Sequence, residues 1–205
     1  MHNKTLSDFT DILSSASPTP GGGGATALVG SLAASLSEMV TNLTTGKKKY
    51  AEYEQEIQAI MFEAEKLRMQ LLECINKDAQ AFEPLSKAYA KSKDDPDYEG
   101  TMDACLKMAA EPPFVVLKLT CQVIKLDQRL AEIGSKLAIS DAATSAMFAY
   151  GALYSAAINV KVNTRLMKDR EYAEGMNKQV DILTERYAPI AKDAYDTVLK
   201  RLTNG

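Results

Sequence analysis

Residues 140–167 form the stretch SDAATSAMFAYGALYSAAINVKVNTRLM, in which alanine, serine and other small residues occupy almost every face of a helix. A second stretch, 24–45, has the same character in GATALVGSLAASLSEMVTNLTT. A helix that is apolar all the way round is buried, and small side chains allow helix axes to approach closely. These two segments are therefore predicted to form the centre of a helical bundle.

The remaining chain also has helical periodicity, and the alternation of apolar and polar residues that is typical of strands is scarce. Thr5 with Asp8 resembles a helix capping box, and Pro189 is expected to kink or split the last helix. The prolines at 112 and 113 suit a first helical turn. The other predicted helices cover residues 5–14, 48–90 (as one or two helices), 97–110, 112–133 and 169–202, and the amphipathic segments 48–75 and 170–202 are expected to lie on the outside.

The expected fold is an all-α, multi-helix bundle of six to eight helices with two buried small-residue central helices. With 205 residues and no long linker, the chain is expected to form a single domain over 1–205. The net charge of −3 argues against a strongly basic protein that binds nucleic acid, and we expect no nucleic-acid partner. No apolar run of about 18 residues and no signal peptide are evident, so we expect a cytoplasmic protein without membrane contact.

The chain has one histidine, His2, and three cysteines, Cys74, Cys105 and Cys121, without CxxC spacing. A histidine so close to the terminus is a poor candidate for a Ser-His-Asp triad, a Cys-His pair, a zinc site or a di-iron bundle. We therefore expect no metal. An odd, sparse set of cysteines is typical of free thiols in a reducing compartment.

Four glycines, Gly21, Gly22, Gly23 and Gly24, stand directly before the first central helix. They leave the first helical N–H groups unshielded, so an anion or a polarised oxygen can dock at the positive end of the helix. The pattern is neither a P-loop nor a dinucleotide fingerprint. The simpler alternative is a flexible turn, but four glycines are costly in folding entropy, and we favour a binding role.

The turn after that helix contains Lys47, Lys48 and Lys49. Cations stabilise a helix C-terminus. When the lysines are considered alone, we favour this explanation. A polyanionic ligand tail is the alternative.

The second central helix carries a polar stripe on one face, formed by Asp141, Ser145, Ser155, Asn159 and Asn163. Buried amides need partners, which another helix or a ligand could supply, and the stripe leaves both possibilities open. Asp78, in KDAQAF, is a lone helical carboxylate of the kind that most often faces solvent.

The chain resembles the cyclodeaminase/cyclohydrolase family, which includes the C-terminal domain of formiminotransferase-cyclodeaminase and stand-alone bacterial methenyltetrahydrofolate cyclohydrolases. The similar stretches occur in family order: SPTPGGGGATALVGSLAASLSEMVTNLTTGKKKY at 17–50, KDAQAF at 77–82, EPPFVVLKLT at 111–120 and GSKLAISDAATSAMFAYGALYSAAINVKVN at 134–163.

The resemblance implies an all-helical homodimer that acts on folate-bound one-carbon units without a metal or a separate cofactor. It assigns the catalytic carboxylates to Asp78 and Asp141. It assigns substrate binding to Gly21, Gly22, Gly23, Gly24, Lys47, Lys48, Asn159 and Asn163.

Two reactions fit the resemblance. A cyclohydrolase adds water to 5,10-methenyltetrahydrofolate and yields 10-formyltetrahydrofolate, whereas a cyclodeaminase closes a 5-formimidoyl group onto N10 and releases ammonia. The absence of a formiminotransferase domain favours the cyclohydrolase. A non-catalytic dimeric helical scaffold is the alternative of another class, and convergence of Asp78, Asp141, Asn159 and Asn163 on one pocket would argue against it.

Overall fold

The computed structural model describes residues 3–92 and 96–204, and these residues form six α-helices and one 3-10 helix without any strand. The all-α prediction is confirmed. His2 lies outside the described residues. No described helix has the length and apolar character that crossing a membrane requires. In chain order the elements are α1 Leu6–Leu13, α2 Gly22–Asn42, the 3-10 helix Lys48–Tyr53, α3 Glu54–Tyr89, α4 Tyr98–Ile133, α5 Ile139–Thr164 and α6 Arg170–Thr203.

The small-residue helices α2 and α5 lie at the centre, as predicted. α2 packs against α3, α4 and α5, and α5 also packs against α4 and α6. Ser37 contacts Ser145, whereas Gly22 lies beside Asn159, so the two central helices run antiparallel. Small residues on both helices, such as Ala33 on α2, are fully buried, which allows the backbones to approach closely.

The burial of the two central helices is incomplete. Each keeps one row of large apolar side chains in solvent, and these side chains are between 36% and 62% exposed. We call this surface the α2–α5 face; it consists of Val29, Leu32, Met39, Met147, Phe148, Tyr154, Ile158 and Val162.

The helix break predicted at Pro112 and Pro113 is wrong. α4 runs through both prolines without interruption, and α6 likewise continues through Pro189. A proline inside a helix removes one backbone donor and strains the turn before it. Both α4 prolines are buried, and tertiary packing of a long amphipathic helix outweighs this local cost. The predicted cap of α1 is confirmed, because Thr5 Oγ1 accepts from the Asp8 N–H at 3.1 Å.

The core contains one polar atom whose removal should stabilise the fold. Among the described residues, Thr120 Oγ1 is a buried side-chain oxygen without a hydrogen-bond partner. Thr120→Val replaces this hydroxyl with a methyl group of similar size. We expect the free energy of unfolding to rise by about 1 kcal/mol, measured as a thermal midpoint a few degrees higher.

Thr44→Val is the matched control. The buried Thr44 Oγ1 donates to the Val40 carbonyl at 2.6 Å and accepts from the Ser135 N–H at 2.9 Å. Its removal leaves a buried N–H unpaired, which should lower the free energy of unfolding by about 1–3 kcal/mol. If the free energy of unfolding falls by the same amount in Thr120→Val and Thr44→Val, this account of the core is contradicted.

Candidate functional site

A small cavity lies at the N-terminal end of α2, and we call it the glycine cavity. Its volume is about 140 Å³. Six of the ten residues predicted for the site line it: Gly21, Gly22, Gly23, Asp78, Asn159 and Asn163. The rest of the wall comes from Pro18, Thr19, Phe82, Ala109, Pro113 and Val162.

Asp78 reaches the glycine cavity from α3 and lies against the start of α2. A Cβ atom at position 23 would lie 2.0 Å from Asp78 Oδ1, so glycine is required there by contact. The backbone N–H of Gly24 lowers the pKa of the Asp78 carboxyl, while the N-cap residue of α2, Gly21, offers no side-chain cap. The carboxyl therefore lies beside the N–H groups at the start of α2, which lack helical partners.

This contact changes the predicted role of the glycines. We expected the positive end of α2 to hold an anion or polarised oxygen of a ligand. The anion that occupies this place is the chain's own Asp78 carboxyl. The glycines thus allow a carboxylate to enter the wall of the cavity.

Burial raises the pKa of Asp78 above the ordinary aspartate value, and the hydrogen bond from Gly24 opposes part of this shift. The cost of removing the charge from water is the larger of the two effects. The Asp78 carboxyl therefore keeps its proton to a higher pH than an exposed aspartate does.

Asn159 and Asn163 project into the glycine cavity from successive turns of α5. Each uses its amide NH₂ group on backbone carbonyls: Asn159 donates to Ser155 at 2.7 Å, and Asn163 donates to Asn159 at 2.9 Å and to Ala109 at 3.3 Å. Among the described residues, no donor contacts the Oδ1 atom of either amide. These oxygens and the Asp78 carboxylate give the cavity three side chains that can accept hydrogen bonds.

The bond from Asn163 to Ala109 has a local cause in α4. Pro113 has no N–H group, so the carbonyl four residues earlier, that of Ala109, lacks its helical donor. Asn163 supplies a donor from α5 in its place. Pro113, which was predicted to lie in the first turn of a helix, instead fixes the orientation of the Asn163 side chain.

Three predicted residues lie away from the cavity. Asp141 precedes Asn159 by 18 residues on α5, which is about 27 Å along the helix. Lys47 and Lys48 follow the C-terminal end of α2, whose 21 residues span about 31 Å. Lys47 Nζ donates to Ser135 Oγ at 3.2 Å, so Asp141 and the lysines share the opposite end of the central helix pair, which we call the lysine end.

The expected convergence on one pocket is therefore wrong for Asp141 within one chain. The antiparallel packing of α2 and α5 separates the start of α5 from the start of α2. Ser145, from the polar stripe, is buried against Asp127 in the core, where another helix provides its partners. Phe82 is a cavity residue that the sequence analysis missed; it lies one helical turn after Asp78, a spacing that places both on one face of α3.

The glycine cavity adjoins two larger grooves. One, of about 580 Å³, shares Gly22 and Asn159 with the cavity and follows the α2–α5 face past Val29 and Ile158. The other, of about 330 Å³, shares Pro18, Thr19 and Phe82 with it. A ligand longer than the cavity can thus extend from it in two directions.

A separate cavity of about 500 Å³ lies between α4 and α6 and contains none of the predicted residues. Two of its acidic side chains have partners in the fold: Asp169 pairs with Lys107, and Glu111 accepts from Tyr172. Within residues 3–92 and 96–204, no three His, Cys, Asp or Glu side chains are grouped so as to hold a metal ion.

Known proteins share both the sequence and the architecture. The chain is 37% identical to the methenyltetrahydrofolate cyclohydrolase of Methylorubrum extorquens over 204 residues, 98% of each chain. It is 28% identical to the formimidoyltransferase-cyclodeaminase of Dictyostelium discoideum, covering 96% of this chain but 36% of that protein. A crystal structure of formiminotetrahydrofolate cyclodeaminase from Thermotoga maritima superposes with a TM-score of 0.84 at 31% identity, covering 98% of this chain and 97% of the other.

The family model described as formiminotransferase-cyclodeaminase matches residues 5–182, most of the chain and all the residues of the glycine cavity. Together with the full-length relative, this match identifies the protein as an enzyme of the formiminotransferase-cyclodeaminase family.

Proposed function

We propose that the chain is a methenyltetrahydrofolate cyclohydrolase that converts 5,10-methenyltetrahydrofolate to 10-formyltetrahydrofolate. The observation that carries this proposal is the convergence of Asp78, Asn159 and Asn163 on one cavity at the start of α2. A non-catalytic scaffold has no need to gather three acceptor side chains from two helices. The full-length relative from Methylorubrum extorquens supports the choice of reaction.

The acceptor groups suit the charge of the substrate. The methenyl carbon carries positive charge shared with N5 and N10, which a nearby carboxylate and two amide oxygens stabilise. Ionised Asp78 accepts a proton from the water that attacks this carbon. The protonated carboxyl then returns that proton to N5 as the carbon–N5 bond breaks. The hydroxyl proton of the intermediate passes to solvent as the carbonyl forms, so the formyl group remains on N10. The tetrahydrofolate derivative is the substrate, and this route uses no separate cofactor.

The glycine cavity is too small for the whole substrate, since sites for ligands of this size occupy about 300–1,000 Å³. We place the reacting end of the substrate in the cavity and the remainder in the groove along the α2–α5 face. The three cysteines are buried free thiols, which is consistent with a reducing compartment, and we place the reaction in the cytoplasm.

A cyclodeaminase is the second candidate reaction, because a protonated 5-formimidoyl group carries N–H donors that acceptor oxygens can bind. The solved relative from Thermotoga maritima bears that name. Spectroscopic assays with the methenyl and the formimidoyl substrates, run side by side, decide between the two reactions. Turnover of the formimidoyl compound alone would overturn the cyclohydrolase proposal.

We also propose that the protein is a homodimer that pairs through the α2–α5 face. Eight large apolar side chains in one patch amount to several hundred Å², a size typical of interaction surfaces. A two-fold axis perpendicular to α2 and α5 would place the glycine cavity of one protomer near the lysine end of its partner. This arrangement would bring the partner's Lys47, Lys48 and Asp141 toward the groove that holds the substrate tail.

Asp78→Asn tests the catalytic role. The variant keeps the shape of the carboxyl but cannot accept a proton, so we expect turnover to fall by about 10²–10⁴-fold with a much smaller change in folate affinity. Wild-type turnover should rise with pH through the raised pKa of Asp78, because the base acts in its ionised form, and the variant should lose this rise. A folded variant with wild-type turnover on both substrates would refute the mechanism.

Gly23→Ala tests whether the glycine exists to admit the carboxylate. The new Cβ would lie 2.0 Å from Asp78 Oδ1, so the carboxyl must move, and we expect turnover to fall by about 10²-fold. Gly175→Ala, where nothing lies within 4 Å, is the control. In an Asp78→Ala background, Gly23→Ala should cost little further activity or stability. Additive losses would show that Gly23 acts independently of Asp78.

Mixed dimers test whether two protomers share a site. Asp78→Asn and Lys47→Ala/Lys48→Ala are each expected to be weakly active at low concentrations of polyglutamylated substrate. When they are co-expressed, half of the dimers are mixed and each mixed dimer has one intact site, so about a quarter of wild-type activity should return. If each site uses residues of one protomer, the mixture regains nothing, and a monomeric mass in solution would reject the dimer itself.

A further inference from the structure

A buried polar cluster joins three helices in the middle of the bundle, remote from the glycine cavity. Asp127 of α4 is fully buried, as are Ser37 of α2 and Ser145 of α5. Ser37 Oγ lies 2.7 Å from Asp127 Oδ1, and Ser145 Oγ lies 2.9 Å from Oδ2. Ser145 Oγ also lies 2.7 Å from the Ala33 carbonyl oxygen, and the two serine oxygens are 3.0 Å apart.

The protons in this cluster can be counted. Each serine hydroxyl donates one proton, while the carbonyl of Ala33 and an ionised carboxylate donate none. Two protons cannot fill the three contacts of 2.9 Å or less, so with an ionised carboxylate one pair of oxygens would meet without a proton between them. A proton on Asp127 Oδ2 completes the set: Oδ2 donates to Ser145, Ser145 donates to Ala33, and Ser37 donates to Oδ1.

Among the residues that the structure describes, no cation lies in this cluster to balance an ionised carboxylate. α2 contributes the Ser37 hydroxyl and the Ala33 carbonyl, and α5 contributes the Ser145 hydroxyl. α3 and α6 also pack against α4, and no charged group of the described residues contributes to the pKa of Asp127. Burial raises that pKa to about 7, although the two hydroxyls act in the opposite direction.

We propose that Asp127 is held as a neutral carboxylic acid that donates a hydrogen bond to Ser145 and fastens α4 to α2 and α5. Ionisation of Asp127 removes this third proton and leaves a negative charge in the core. The hydrogen-bonded connection between the three helices therefore weakens as the pH rises toward and above neutrality. The bundle therefore contains a pH-sensitive lock that is separate from the chemistry of the glycine cavity.

The direction of the pH effect follows from linkage. An aspartate in the unfolded chain ionises near pH 4, whereas folded Asp127 keeps its proton up to about pH 7. Its contribution to stability is complete below pH 4 and is lost as the pH rises from 4 to 7.

Asp127→Asn is the test variant, because the amide keeps one acceptor and donates from the position of Oδ2 without titrating. Unfolding by urea from pH 4 to pH 8 gives the unfolding constants of both proteins. The ratio of the wild-type constant to the variant constant should rise by up to about 10³-fold between pH 4 and pH 7.5. Asp11→Asn, at an exposed position of α1, controls for the loss of one charge. A flat or falling ratio would overturn the proposal.

Infrared spectroscopy tests the proton directly and does not require the variant to fold. Wild-type protein with isotopically labelled aspartate should show the carbonyl band of a protonated carboxyl at pH 5.5, and the band should disappear on titration through pH 7. The same band should persist in Asp78→Asn, which separates it from any band of the partly buried Asp78 carboxyl. Absence of the band at pH 5.5 would show that Asp127 is ionised and would reject the lock.

Discussion

The contact between the Asp78 carboxyl and the backbone at Gly23 is the constraint on which the site depends. A side chain at position 23 would occupy the place of Oδ1, so α3 can approach the start of α2 only where the Cβ atom is missing. The contact places the carboxyl beside the start of α2, whose own N-cap offers no side-chain acceptor, and burial raises the pKa of the carboxyl. One interaction thus joins two helices and changes the acidity of a cavity side chain.

The opposite wall of the cavity depends on a hydrogen bond from a side chain to a backbone carbonyl. Pro113 deprives Ala109 of its helical donor, and Asn163 supplies the missing hydrogen bond. Since each NH₂ group is held by backbone carbonyls, Asn159 and Asn163 turn their oxygens to the cavity. The wall therefore favours a ligand that carries positive charge or N–H groups, which describes both a methenyl cation and a formimidoyl substrate.

The sequence predicts the helices and the centre well, because small-residue composition and helical periodicity are properties of single segments. It predicts the link between Gly23, Asp78 and Asn159 only through family resemblance, since nothing local shows that α3 and α5 meet at the start of α2. It fails at Pro113, where tertiary packing overrides a local preference. Asp127 was missed, although it stands three residues before the buried Leu130 and three after the buried Ile124, at a core position of α4.

Asp78 and Asp127 show why residue type alone does not assign a role. Burial raises the pKa of both carboxyls. Asp78 lines a cavity that adjoins two grooves, so a bound ligand can reach its carboxyl. Asp127 is enclosed by hydroxyls and a carbonyl with no solvent contact, so its proton can serve only the fold. The difference between the two carboxyls is therefore whether a ligand can reach them. The packing of α2, α3 and α5 decides this, and it leaves Asp78 accessible while Asp127 holds helices together.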